Sequence, residues 1–429
     1  MIKFRMSSLV NLLLFLLFFL PLQTRWIISR AALGSGTSEY GTISIYAVEA
    51  LLWLTFALFI LSGHIKLPKA GDGSRAGLAL VAFLAYSFFG IFVNPDPLRG
   101  LFSWIHLLDG VMLFVLITLG GVKNRWLVYS FLAGVAVHAF LGIIQFSFQG
   151  ISPSTLLGIA EHDPGTLGDA VVETTKGRWL RAYGGLPHPN ILGGYLASAV
   201  IFLSTIILWK KINLKKEIIA LFVLMIFVSA LFFTFSRGAM IALGVGGMVL
   251  LWNMFYRNND ERFHRALRVG VPIAALWVVL GLTFMPLIQT RFTGLGRLER
   301  RSTDERTEEY AVAMSLLPGY ALSGTGIGAY TRRLEELKPG FPGYIYQPVH
   351  NTYLLLILEL GVGAAFLAFI FIISFLLALD SRERWAAWPP LLVLISLGFF
   401  DHYLWSLLPG QLLFWASLGL LYNFKEEDI

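Results

Sequence analysis

Two short stretches carry the side chains best suited to chemistry. Phe235-Ser236-Arg237-Gly238 falls between two apolar segments, and Pro348-Val349-His350-Asn351-Thr352-Tyr353 runs directly into LLLILELGVGAAFLAFIFII. An arginine at such an edge either snorkels to lipid headgroups or uses its planar, permanently charged guanidinium to hold two phosphate oxygens at once. Gly238 would let a phosphate approach the backbone. Arg306 has the same choice, because Asp304, Glu305, Glu308 and Glu309 stand close enough in sequence to pair with it on a solvated face. His350 is either an interfacial hydrogen-bonding side chain or a general base, since an imidazole of pKa about 6.5 can take a proton at neutral pH. Asn351 orients that imidazole or caps the helix that follows.

Further polar residues are candidates to line the same cavity and bind substrate. Arg181 and His188-Pro189-Asn190 close one polar stretch, and Asp401-His402-Tyr403 interrupts the last apolar region. Glu359 lies nine residues beyond His350, deep enough in apolar sequence to need a partner or a wet cavity. Glu49, His106, Asp109 and His138 are other ionisable groups in or near apolar segments, and the sequence assigns them no role. Two arginines and a histidine make a coherent set: the arginines hold a diphosphate and stabilise it as it leaves, and the histidine takes the proton of an attacking hydroxyl. No Asp-x-Asp occurs in the chain. The carboxylate pair that holds a metal-bound sugar nucleotide is therefore missing, which points to a metal-independent reaction with a lipid-linked donor and no cofactor.

The elements that must position these residues are membrane helices. Of the 429 residues 56% are hydrophobic and 14% charged, and the mean hydropathy is +0.71, beyond the range of soluble globular domains. Runs long enough for a hydrocarbon core of ~30 Å fall near 8–29, 42–62, 76–93, 101–120, 126–148, 188–209, 217–235, 237–256, 268–289, 350–379, 386–400 and 403–423. The expected fold is an all-α polytopic membrane protein of about twelve transmembrane helices. The first run has the basic start of a secretory signal but no small-residue cleavage site after Pro21, so it is expected to stay as a span. Placing both termini in the cytoplasm puts Lys3, Arg5, Lys66, Lys69, Arg75, Lys123, Arg125, Lys210, Lys211, Lys215, Lys216, Arg257, Arg262, Arg265, Arg268, Arg382, Arg384 and Lys425 inside, as the positive-inside rule requires. That distribution accounts for the net charge of +7 without nucleic acid. Zero cysteines exclude disulfides, thiolate metal sites and cysteine nucleophiles.

The chain reads as one membrane domain over 1–429 with two long outside loops, 149–187 and 290–349. Loops of that length in a compact protein usually carry function. In the second, Ser302-x-x-Glu305 reads as a capping box, and Arg306, Tyr310, Met314 and Leu317 recur at helical spacing, an amphipathic helix able to lie on the membrane with Arg306 beside its apolar stripe. Pro318-Gly319 is expected to stop it, and Gly324-Thr325-Gly326-Ile327-Gly328 to make a flexible turn before a short helix around Tyr330–Leu337. On this topology Arg181, His188, Arg237, Arg306, His350 and His402 all share one side.

Through RAYGGLPHPNILGGYLA, TFSRGAMIAL, DERTEEYAVAMSLL, GTGIGAY and VHNTYLLLILELGVG, spanning about 180 to 380, the chain resembles the O-antigen ligase and O-antigen polymerase superfamily of bacterial envelope proteins. The resemblance implies a membrane-embedded, metal-independent glycosyltransferase of the bacterial inner membrane, working at its outer, periplasmic face on an undecaprenyl-diphosphate-linked glycan. It implies that Arg237 and Arg306 engage the diphosphate and that His350 sits in the large periplasmic loop as the catalytic histidine. Tyr310 stands where the family has tryptophan. A ligase uses lipid A-core as acceptor, a polymerase a second lipid-linked repeat, and a protein O-oligosaccharyltransferase a protein hydroxyl; ligase-like transfer is the preferred expectation. From another class, a multi-span anion transporter would use the arginines as a substrate clamp, but such proteins place the site near the midplane between repeated halves, and no half-to-half repeat is evident here.

Overall fold

The computed structural model of the protein describes residues 6–63, 73–209, 212–256, 260–294, 296–379 and 381–422. Lys3, Arg5, Lys66, Lys69, Lys210, Lys211, Arg257 and Lys425, which the expected orientation uses, lie outside them.

The chain opens with a short helix, α1 (Met6–Phe18), and then departs from the expected span over 8–29, because β1 (Arg25–Leu33) and β2 (Gly36–Tyr46) form an antiparallel hairpin. Pro21 has no N–H to continue a helix. Beyond it the burial of β1 alternates residue by residue, the period of a strand rather than a helix. Register runs from Arg25 opposite Tyr46 to Leu33 opposite Gly36, closed by Gly34 at φ 55°, a left-handed conformation that glycine adopts without cost. The apolar character of Trp26-Ile27-Ile28 disguises this hairpin as a membrane segment.

Helices α2 (Ala47–Ser62), α3 (Gly73–Val93), α4 (Pro97–Leu119) and α5 (Asn124–Phe148) follow, then a second hairpin of β3 (Val171–Thr174) and β4 (Gly177–Leu180). Next come α6 (Pro189–Trp209), α7 (Leu214–Thr234), α8 (Arg237–Tyr256) and α9 (Asp260–Thr283). The remainder is α10 (Met285–Thr293), α11 (Arg297–Tyr320), α12 (Tyr330–Leu337), α13 (Thr352–Ala378), α14 (Ser381–Phe400), α15 (Tyr403–Ser406) and α16 (Leu408–Tyr422). Eight helices, α3 to α9 and α13, are long and apolar enough to cross a membrane among the described residues, and shorter apolar helices stand at the first, second, eleventh and twelfth expected positions. The chain is thus a largely helical, multi-span membrane protein. Helix α6 is its centre, with 94% of its apolar stretch buried inside the protein, whereas only 6% of that of α9 is buried, so α9 lies at the outside of the bundle.

Segment 290–349 differs from expectation in detail. Helix α11 begins at Arg297 behind Gly296, not at Ser302, because Arg297-Leu298-Glu299-Arg300-Arg301 are all good helix formers and Glu299 complements the positive helix start. Nor does Pro318 stop it; the helix runs to Tyr320, and Ala321 N still donates to Leu317 O at 2.8 Å. The buried stripe is Ala313 and Leu316 with Tyr310 and Leu317 beside it, and Met314 points outward. Helix α12 occupies Tyr330–Leu337 as expected.

The glycine-rich turn between them is pinned rather than flexible. Helix α13 breaks at Gly361, which takes φ 82°, and the backbone groups freed by the break are met by the turn: Thr325 N donates to Leu358 O, Gly326 N to Glu359 O, and Val362 N to Ala321 O, at 2.8, 3.0 and 2.7 Å. Broken helices persist at membrane depth only with such internal partners. Gly324, Gly326 and Gly328 all have positive φ, and a Cβ at Gly324 would lie 2.1 Å from Glu359 O.

Candidate functional site

The site forms where six chain segments meet. Helix α7 ends with Phe235 in the left-handed region at φ 47°, turning the chain so that α8 starts at Arg237. The neighbouring backbone is held by Arg291 of α10, whose Nε donates to Phe235 O at 3.0 Å. Arg291 is buried and pairs with Glu299 of α11 at 2.6 Å, and Arg237 lies 3.8 Å from the same carboxylate. Arg237 and Arg306 are half-buried. Together with Arg291 they line one small pocket, closed by Asn190, Ser236, Phe400, Asp401 and Tyr403.

Arg306 is the available cation of this pocket. None of the four acidic neighbours that the sequence offers it pairs with it: Glu305 binds Arg301, Glu308 binds Lys338, and Glu309 binds His350. Among the described residues Arg306 has no hydrogen-bond or ion-pair partner. Three guanidinium groups against the Glu299 and Asp401 carboxylates leave the pocket net positive, suited to an anion with several oxygens. Gly238 also lines the pocket, and because a Cβ there would meet Phe400 Cβ at 2.7 Å its missing side chain lets α8 and α14 touch.

Beside the pocket stands a histidine cluster. His350 Nδ1 is 2.6 Å from Glu309 Oε2, so Nδ1 carries the hydrogen and Nε2 is left to accept a proton when the ring is neutral. Burial by itself would lower the His350 pKa, but the Glu309 hydrogen bond and the charges of Asp401 and Glu309 raise it above 6.5, with Arg306 opposing. Its backbone carbonyl accepts from Tyr310 Oη at 3.2 Å. His402 meets His350 edge to face at 5.3 Å; its Nδ1 lies 2.6 Å from Ser406 Oγ, and burial, set partly against Asp401, brings its pKa down to about 4.

Asp401 ties the cluster to the fold. Its carboxylate accepts from Asn190 Nδ2 and from His402 N, each at 2.8 Å, and its carbonyl accepts from Thr352 N and Oγ1. Burial opposes its ionisation, yet the neighbouring imidazoles of His402, His350 and His188 and the Asn190 bond bring its pKa to about 2. Asn190 Oδ1 in turn accepts from Arg181 Nη2 at 2.7 Å, and Arg181 Nε donates to Thr234 O at 2.6 Å. His188 Nδ1 accepts from Asn190 N at 3.1 Å.

Of the residues singled out from sequence, Arg181, His188, Asn190, Arg237, Arg306, His350 and His402 are brought together here. Arg181 is buried and held by Thr234 O and Asn190 Oδ1. Asn351 caps α13 through Tyr353 N and Leu354 N, the second of its two readings. Glu359 lies elsewhere, its Oε2 accepting from Trp405 Nε1 and Gly328 N at 2.8 and 2.9 Å. His350, Asp401 and His402 each offer one donor atom within 4.8 Å of the others. That set fits a divalent cation poorly, because both Asp401 oxygens are already hydrogen-bonded and the arginines beside it repel positive charge. Sequence reasoning missed Arg291, Glu299 and Glu309, and also Tyr40 of β2, whose ring meets His402 edge to face at 5.5 Å. Nothing in linear spacing signals those contacts.

Compared with known families, residues 221–367 match the profile described as O-antigen ligase. The match runs from α7 into α13 and contains Arg237, Arg291, Glu299, Arg306, Glu309 and His350. It bears out the resemblance over that segment, in a family of glycosyltransferase-like enzymes. No curated protein matched the chain.

Proposed function

We propose that this chain, O-antigen ligase-like over residues 221–367, is a glycosyltransferase that moves a glycan from an undecaprenyl-diphosphate carrier to an acceptor hydroxyl at the outer face of the bacterial cytoplasmic membrane. The observation that carries the reading is the unpartnered Arg306 sharing one pocket with Arg237 and Arg291, beside the His350–Glu309 pair. Arg237 and Arg306 hold the diphosphate. The acceptor oxygen forms its bond to the sugar carbon as the bond from that carbon to the diphosphate breaks, and the arginines stabilise the charge gathering on the departing phosphate oxygens. His350 Nε2 takes the acceptor proton, and Glu309 holds the ring in that tautomer and steadies the imidazolium, the division of labour of an acid–histidine pair. No step needs a metal ion.

In this reading the protein is a single membrane domain with 149–187 and 290–349 outside, and the preferred acceptor is lipid A-core. Offering purified carrier-linked glycan together with either lipid A-core or a second lipid-linked repeat tests it. Modified lipid A-core is the expected product; a ladder of lengthened carrier-linked glycan would make the protein a polymerase, and glycan moved only to protein would make it an oligosaccharyltransferase. Solute uptake into proteoliposomes with no transfer at all would replace the reading with transport.

A further inference from the structure

Glu49, His106, Asp109 and His138 of the apolar helices take no part in the chemistry above. His138 is explained by its ring contact with Gly184 O. Glu49, His106 and Asp109 are not. Glu49, in the first turn of α2, uses Oε2 to cap the helix by accepting from Tyr46 N at 3.0 Å. Asp109, midway along α4, uses Oδ1 to accept from Trp53 Nε1 at 2.6 Å. Both residues are 0% exposed, and Glu49 Oε1, Asp109 Oδ2 and His106 Nε2 are buried without any hydrogen-bond partner. His106 Nε2 lies 3.9 Å from Glu49 Oε1, and Trp53, which reaches Asp109, stands one helical turn after Glu49 on the same face of α2, so the two carboxyl groups are neighbours across the contact of α2 with α4.

An ionised carboxylate only accepts, so two of them at that range leave their contact without a donor. Two like charges also cannot share an apolar interior. One proton between them removes both difficulties at once. The remaining groups around the pair form a series leading to the surface. His106 faces the Tyr46 ring edge-on at 6.4 Å, Tyr46 Oη accepts from Arg25 Nη1 at 3.0 Å, and Arg25 pairs with the exposed Glu39. Helix α1, packed on α2, carries no ionisable side chain among Met6–Phe18.

We propose that Glu49 and Asp109 form a proton-binding site inside the membrane domain, their carboxyl groups holding one proton in common, with His106 as the group through which it exchanges toward the Arg25–Glu39 surface. The site is separate from the arginine pocket and does not rest on the glycan-transfer reading.

Dicyclohexylcarbodiimide, which adds to protonated carboxyl groups in apolar surroundings, tests the proposal on the detergent-purified full chain. Peptide mass spectrometry should find the adduct on Glu49 or Asp109 at pH 7 and less of it as pH rises. Glu49→Gln should remove labelling of Asp109 as well, because the amide N–H replaces the shared proton and Asp109 ionises. In parallel, the infrared band of a protonated carboxyl should be present in the wild type and lost from the near-isosteric double variant Glu49→Gln/Asp109→Asn, with monodispersity on gel filtration confirming its fold. Absence of both adduct and band at pH 7 would overturn the proposal. Labelling suppressed by sodium or potassium at constant pH, but indifferent to pH, would overturn it in favour of a metal-cation site.

Discussion

At the scale of single residues, the account turns on which groups are free and which are held. Arg306 is free because Glu305, Glu308 and Glu309 are engaged elsewhere and Asp304 makes no ion pair with it, and Arg306→Lys should lose transfer almost as fully as Arg306→Ala, since an ammonium cannot grip a phosphate with two parallel donors; product formation by equal amounts of folded protein checks this. The pH dependence follows from the Glu309–His350 pair. His350 must be neutral to act as a base, and its pKa lies above 6.5, so activity should rise with pH through that raised value. Glu309→Gln removes the main group holding the pKa up, so the rising limb should move to lower pH while the maximal rate falls. A limb that stays in place would dissociate it from His350. Arg237, Arg306 and His350 could be picked out of the sequence because their types suit one reaction and the expected topology puts them on one side. Glu309 could not be, because its neighbour Glu308 has the same chemistry, and only the rotation of α11 decides that one meets His350 and the other Lys338.

At the scale of elements, two joints hold the site in place. The Arg291–Glu299 pair fastens α10 to α11 in a buried setting. Glu299→Ala should therefore leave an uncompensated buried arginine and cost about 3–5 kcal/mol, read as a lowered unfolding temperature as well as lost activity. The break in α13 is the second joint. Gly361→Ala places a Cβ 2.3 Å from Leu322 O at φ 82°, and strain of about 1–3 kcal/mol should follow; unchanged thermal stability would contradict the reading of Gly361 as an obligatory break. Hydropathy located most of the apolar helices, and the glycine-rich turn ahead of it located α12. The first hairpin was hidden because Trp26, Ile27 and Ile28 give an apolar average whatever their period, and the start of α11 was hidden because Ser302 makes an equally good cap in isolation.

At the scale of the whole molecule, the arrangement places an anion pocket and a base where the second long segment folds back onto the helices. The absence of cysteine gives a clean background for testing orientation. Single replacements Ser302→Cys and Lys123→Cys should react with a membrane-impermeant maleimide from opposite sides, the first from the outer face of intact cells and the second only after the membrane is opened; labelling of both from one side would overturn the expected topology. The most direct measurement is transfer from purified undecaprenyl-diphosphate glycan to lipid A-core in detergent with EDTA, comparing wild type with His350→Ala. Full wild-type activity in EDTA and a loss of ~10²–10⁴-fold or more in the variant, with its folding unchanged, is the predicted result. Normal transfer by His350→Ala, or wild-type activity abolished by EDTA and restored by a divalent cation, would contradict it.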